Sequence, residues 1–506
     1  MENKAKDTDG LLALIREGRP MTLGEQLRLT AALSVPAIVT QLSAIIMQYI
    51  DAAMVGSLGA DASASIGLVS TTTWLFWGLC ASVSTGFSVQ VAHRIGAGDW
   101  GNARSVLRHS VTAVLTFSVA LAAIGVSISE NLPRWLGGDA AIHAGSSLYF
   151  LIFSLFLPVL QLNFLAGGML RCSGNMRVPS TAGVLMCALD VVFNFFLIFP
   201  EQELSLGTLS LQLPGAGLGV EGAALGTGLA ECVAACLTSW HLFTRSSGLK
   251  IQEWHGTHHF PMRTTLKNAV RISLPMGLEH AVICGAQIMT TVIVAPLGIT
   301  AIAANSFAIT AESLCYMPGY GIADAATTLV GQSLGAGRRK LTRRFAYITV
   351  FAGMAIMGLM GIVMYAFAPQ IIGTMTPVDE IRELGVVVLR IEAFAEPMFA
   401  AAIIAYGVFV GAANTLVPSL MNFFSIWAVR ITLAAALAPL HGTERRVDSH
   451  VHRIMLQRHD ILSPAERKTV DESLKKTKLV KCRHADFRNS GHNIRNPSTL
   501  KLQAYP

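Results

Sequence analysis

Eleven long apolar runs, separated by short polar loops, constrain this chain more than any other feature. They cover approximately residues 29–56, 62–92, 106–129, 144–170, 179–200, 216–244, 268–296, 299–332, 345–369, 384–410 and 417–440. A hydrocarbon core about 30 Å thick takes about 20 helical residues to cross. Lipid offers no hydrogen bonds to a bare backbone, so a segment of that length crosses as a helix. Charged residues make up only 14% of the chain, against about 25% in soluble domains, and the mean hydropathy is +0.52. The expectation is an all-α polytopic membrane protein.

The loops alternate in charge. Arg16, Arg19 and Arg28 precede the first run, while the next loop carries only Asp61. Arg94, Arg104 and Arg108 follow, then Glu130, Arg134 and Asp139; Arg171 and Arg177 precede a loop with Glu201 and Glu203 and no basic residue. Arg245, Lys250, Arg263, Lys267 and Arg271, and later Arg338, Arg339, Lys340, Arg343 and Arg344, continue the alternation. Every second loop is basic, which by the positive-inside rule places the N-terminus in the cytoplasm. The expected location is the plasma (inner) membrane.

Net charge needs the same care. Residues 441–506 hold 14 Lys+Arg against 7 Asp+Glu, so the formal +7 belongs to the tail and the body is neutral. The basic pI therefore gives no reason to expect a nucleic-acid partner. Cys80, Cys187, Cys232, Cys236, Cys284 and Cys315 sit inside apolar runs; they read as small core residues rather than as disulfides or metal ligands.

A second signal is an internal repeat at a constant offset of 239 residues. It relates Ser34-Val-Pro36 to Ser273-Leu-Pro275, Gln48 to Gln287, and Leu58-Gly59 to Leu297-Gly298. It also relates Gly96-Ala-Gly98 to Gly335-Ala-Gly337, Pro158 to Pro397, Asn175 to Asn414, and Pro179-Ser180 to Pro418-Ser419. Two homologous lobes follow, residues 28–245 and 268–440, joined by a linker at 246–267 and preceded by an N-terminal segment at 1–27. With six spans in the first, both lobes enter the membrane from the same side, and parallel repeats of this kind place a substrate path between them. The partner of the sixth span would fall near 460–483, which is too polar to cross. The second lobe thus reads as lacking its last helix, with 441–506 an unrelated basic tail; a natural regulatory tail is the competing reading.

These residues resemble the multidrug and toxic compound extrusion (MATE) family. The resemblance rests on the two six-span halves, on Pro36 and Pro275 near the start of spans one and seven, and on Asp51 before Val55-Gly-Ser-Leu-Gly59. Gln90 to Gly98, Leu170-Arg-Cys-Ser-Gly-Asn175 before Pro179, and the second-half counterparts Gly331-Gln-Ser-Leu-Gly-Ala-Gly337 and Gly411-Ala-Ala-Asn414 before Pro418 carry it further. It covers roughly residues 25–440. It implies a MATE-type fold and a secondary antiporter that exports cationic or amphiphilic compounds, driven by inward H⁺ or Na⁺, with no cofactor and acting as a monomer. Asp51 matches the family's first-span acid and Asp190 the fifth-span acid of the DinF-like and archaeal branch, with Thr227 a sixth-span hydroxyl nearby. That branch has Asn where this chain has Met186, and Asn194, one turn later, is the substitute. Phe399 stands where the NorM-like branch has its tenth-span Asp, which argues against Na⁺ coupling by that route.

The chemistry agrees with that placement. A carboxylate near the membrane centre costs about 2.5–3.5 kcal/mol on insertion scales, so one that is kept titrates, binds an ion or pairs. Burial disfavours the charged form of a carboxyl, which makes a buried acid a group that gains and loses a cation as its access to water changes. Asp51 and Asp190, with Gln48, Asn194 and Thr227 as polar neighbours, are the first candidates; an acid bracing a bent helix is the plainer alternative. Glu279, His280 and Gln287 of span seven and Glu312 and Asp324 of span eight form a second set. Glu392, Glu396 and Arg390 of span ten read as mutual pairs or as partners of Arg430. His255, His258 and His259 form a loop cluster that reads as solvated rather than metal-binding.

Two other function classes are the alternatives. A lipid or lipid-linked oligosaccharide flippase of the same superfamily would line its cavity with Lys and Arg, and few occur in these spans. A membrane-embedded enzyme lacks any sequence support: no His-Glu-x-x-His, Gly-x-Ser-x-Gly or Walker A motif is present, so the chain is not expected to be an enzyme.

Overall fold

Over their described residues the apolar runs fold as helices, because only intrasegment hydrogen bonds satisfy their backbone. A computed structural model describes residues 2–206, 209–246, 248–250, 261–294, 299–376 and 378–431. The basic tail at 441–506 and the His255–His259 cluster lie outside the described residues, as does the side chain of Arg430.

The first lobe comprises α2 (Leu23–Gly56), α3 (Ala60–Gly96), α4 (Trp100–Ser129), the single turn α5 (Leu132–Trp135), α6 (His143–Ser173), α7 (Arg177–Ile198) and α8 (Val220–Trp240). The second comprises α9 (Met262–Val294), α10 (Ile299–Gly335), α11 (Arg339–Met375), α12 (Asp379–Gly411) and α13 (Leu416–Phe423), which continues as a π-helix over Phe424–Ile431. Among the described residues, nine helices are long and apolar enough to cross a membrane. The chain is a multi-pass, all-α membrane protein. Several helices begin before their apolar run: α2 starts at Leu23, where Thr22 and Glu25 form a capping box that satisfies otherwise orphaned backbone donors.

Two elements go beyond the apolar runs. A β-hairpin, β1 (Pro200–Leu206) and β2 (Leu209–Ala216), pairs antiparallel between α7 and α8. An N-terminal helix, α1 (Glu2–Arg16), buries Leu11, Leu12 and Ile15 against a cluster drawn from both lobes: Leu29, Leu33 and Met176 of the first, Leu329, Leu341 and Phe345 of the second. The short Leu11–Ile15 run in the sequence is thus the apolar face of a packed helix.

The repeat is visible in three dimensions. α6 ends at Gly174 with left-handed backbone (φ 98°), and the Asn175 amide donates to the Leu170 carbonyl at 2.9 Å. α12 ends the same way one repeat later: Ala413 takes φ 57° and the Asn414 amide donates to the Phe409 carbonyl at 3.0 Å. This 6→1 bond closes the helix in each lobe. Between lobes, α2 packs on α10 and α3 on α9, again a pair related by the repeat.

Candidate functional site

α2 and α7 carry their acids to one point in the first lobe. Asp190 is fully buried and Asn194, one turn later on the same face, is 1% exposed. The Asn194 side-chain amide donates to Asp51 Oδ1 at 2.9 Å and to Asp190 Oδ2 at 3.1 Å. One amide therefore bridges two carboxyls from different helices. Asp51 and Asp190 lie within electrostatic reach of each other; two carboxylates offer only acceptors, so a hydrogen bond between them would need a proton on one. Thr227 of α8 brings its hydroxyl close to Asp190.

Close helix approach makes this possible. A Cβ at Gly226 would collide with the Asn194 amide oxygen, so glycine lets α8 close over the site. Val55, Ile198 and Ala223 pack beside it, with Tyr149 of α6 against them. Among the described residues, Asp190 Oδ1 and Asn194 Oδ1 are buried without hydrogen-bond partners. A site with two acids, one bridging amide and spare buried acceptors is chemically suited to a proton or a small cation.

Asp51, Asp190, Asn194 and Thr227 are thus brought together. Gln48, also nominated, keeps an exposed side chain one turn away on α2. The second set does not join this site. Glu279 of α9 is 7% exposed and accepts from Ser419 Oγ at 2.7 Å and Asn422 Nδ2 at 2.5 Å, both on α13. Gln287 lies two turns further along α9 with its side chain exposed. Asp324 faces Arg171 across the lobe boundary, Oδ2 to Nε 3.9 Å. Glu312 is half-buried on α10, a turn before Tyr316.

Glu396 does not pair with Arg390, and its other expected partner, Arg430, has its side chain outside the described residues. Among the described residues neither of the Glu396 carboxyl oxygens has a hydrogen-bond partner, and the residue is 1% exposed. Its side chain turns toward α11, against Gly361, while Arg390 donates to the Tyr365 carbonyl at 3.4 Å and lies over that ring. A second buried acid, Glu231 of α8, was not nominated from the sequence. It is 8% exposed and accepts from Asn163 Nδ2 of α6 at 2.8 Å; Asn163 Oδ1 in turn accepts from Thr238 at 3.0 Å. Glu231 lies one turn beyond Thr227 and within electrostatic reach of Asp190. The rule that flags acids inside apolar spans applies to it as well.

Comparison with known proteins bears on this arrangement. A family model described as MatE matches residues 36–196 and 275–436, two stretches that begin one repeat apart. A probable multidrug resistance protein NorM from Thermotoga maritima is 25% identical over 417 residues, 79% of this chain and 83% of that protein. One of the same description from Pseudomonas aeruginosa is 27% identical, covering 82% and 83%. Among solved structures, a MATE protein in the straight conformation aligns with TM-score 0.75 at 21% identity over 86% of this chain and 92% of that one. An outward-facing multidrug resistance MATE family transporter aligns with TM-score 0.73 at 21% identity over 83% and 90%.

Proposed function

The chain belongs to the MatE family, a family of transporters rather than enzymes, and from that premise we propose that it is a secondary antiporter exporting cationic or amphiphilic small molecules across the plasma membrane in exchange for inward H⁺, with Na⁺ the alternative ion. The observation that carries this reading is the Asp51–Asn194–Asp190 bridge, in which one buried amide donates to acids on two different helices.

The physics is that of a two-state switch. With a proton on the pair, the carboxyls satisfy each other and α2 and α7 stay closed around Asn194. Without it, two like charges sit side by side in low dielectric, which favours separation, water entry or a cation. A cationic substrate and a proton therefore compete for the same negative charge, and that competition is what exchange requires. The alternating basic loops support an orientation in which α1 and the ends of α3, α6, α10 and α12 face the cytoplasm.

A flippase handling phosphate-bearing lipids is less well supported, since Arg390 is committed to Tyr365. The test is efflux of a fluorescent cation from liposomes holding the purified protein, against imposed pH or Na⁺ gradients. Asp51→Asn and Asp190→Asn are each expected to abolish gradient-driven export; full export by both variants would overturn the reading.

A further inference from the structure

The two lobes meet backbone to backbone where α3 and α10 end. A Cβ on Gly96 would collide with the Gln332 carbonyl oxygen, and one on Gly335 with the His93 carbonyl oxygen. The offset of 239 residues carries Gly96 to Gly335 and His93 to Gln332, so this is one contact made twice about a pseudo-two-fold axis. The same residues form a second symmetric pair. His93 Nε2 lies 2.8 Å from the Gly411 carbonyl oxygen, and Gln332 Nε2 donates to the Cys172 carbonyl at 2.8 Å. The offset also carries Cys172 to Gly411. A carbonyl only accepts, so His93 presents Nε2–H here.

The acceptors explain why this pair matters. Gly411 is the last residue of α12 and Cys172 lies in the last turn of α6, where helix carbonyls have no partner within their own helix. Each lobe thus satisfies the C-terminal end of a helix in the other. Two asymmetric contacts stand beside the pair: Thr328 donates to the Arg171 carbonyl at 3.2 Å, and Arg338 donates to the Leu14 carbonyl of α1 at 3.0 Å.

We infer that His93 and Gln332 are gating residues for transport, a matched pair of cross-lobe helix caps that hold the basic end of the bundle shut and release together when that end opens. Separation exposes two helix-end carbonyls at once, and water has to enter to satisfy them. Opening is thereby tied to hydration of the path. The glycines at 96 and 335 are required because the caps reach their carbonyls only when the two backbones touch.

The inference rests on the alternating-access exchange proposed above, but its test needs neither substrate nor gradient. Cys172, 4% exposed, is a native reporter, and the rate of its alkylation by N-ethylmaleimide in purified protein, followed by peptide mass spectrometry, reads how often this end opens. His93→Leu removes the donor at the distant member of the pair and is expected to speed Cys172 alkylation about fivefold, the effect of one ordinary hydrogen bond. His93→Gln restores an amide donor like that of Gln332 and is expected to leave the rate unchanged. Gly335→Ala forces the backbones apart without deleting a donor and is expected to speed the reaction as well; it decides the matter if His93→Leu does not fold. A folded His93→Leu or Gly335→Ala protein whose Cys172 reacts as slowly as in the parent overturns the inference. Loss of export in the Asp51 and Asp190 variants with normal Cys172 kinetics would leave it intact.

Discussion

Asn194 on α7 donates its side-chain amide to Asp51 on α2 at 2.9 Å, across a span of 143 residues in sequence. The contact joins the first and fifth membrane helices through one polar group that also reaches Asp190 at 3.1 Å. An amide that serves two acids cannot be replaced by a side chain with no donor without leaving both short of a partner.

Asn194→Ala is therefore expected to impair exchange more than folding. Losing a buried donor to two carboxyls costs about 1–3 kcal/mol, and both acids then lose the partner they share. Export in liposomes should fall by about five- to 150-fold, the range that 1–3 kcal/mol spans. Thermal unfolding in detergent should shift only modestly. Export at the parent's rate would show that the bridge is not used.

Glu396 predicts the opposite behaviour. Among the described residues its two oxygens are buried without hydrogen-bond partners, and an unpaired buried polar group costs about 1–3 kcal/mol on protein scales. A neutral, similarly shaped Glu396→Leu side chain removes that cost. The variant is expected to unfold at a higher temperature than the parent, by a measurement that does not depend on transport. A lower unfolding temperature would mean that Glu396 has a stabilising partner when the protein is in lipid.

Ala413 offers a third test at the end of α12. It holds φ 57°, where its repeat mate is Gly174 at φ 98°. An L-residue with a side chain pays about 1–2 kcal/mol for left-handed backbone, a cost that glycine avoids. Ala413→Gly is expected to stabilise the second lobe by up to that amount, seen as a higher unfolding temperature. The converse change, Gly174→Ala, should be worse than backbone strain alone predicts, because a Cβ there would collide with Leu12 of α1.

How much of this was legible in the sequence depended on which atoms carried the information. The spans were, because lipid compels each apolar run to close its own hydrogen bonds. The meeting of Asp51, Asp190, Asn194 and Thr227 was, because acids in apolar runs are rare and the family resemblance placed them. Glu231 was open to the same argument but sits in an Ala-rich helix whose partner, Asn163, is 68 residues away. The cross-lobe caps were not legible: the repeat marked Gly96 and Gly335, but the acceptors are backbone carbonyls of Cys172 and Gly411, and no residue type signals a carbonyl left unpaired at a helix end. The hairpin between α7 and α8 was passed over because its strands were read only for the charges of Glu201 and Glu203.

Proton release on substrate binding tests the central claim most directly. If a cation and a proton compete for the Asp51–Asp190 pair, adding a cationic dye to purified protein in weak buffer releases protons in proportion to dye bound, and the Asp51→Asn, Asp190→Asn double variant releases none. Dye binding by the parent with no proton release, or equal release from the double variant, would contradict it.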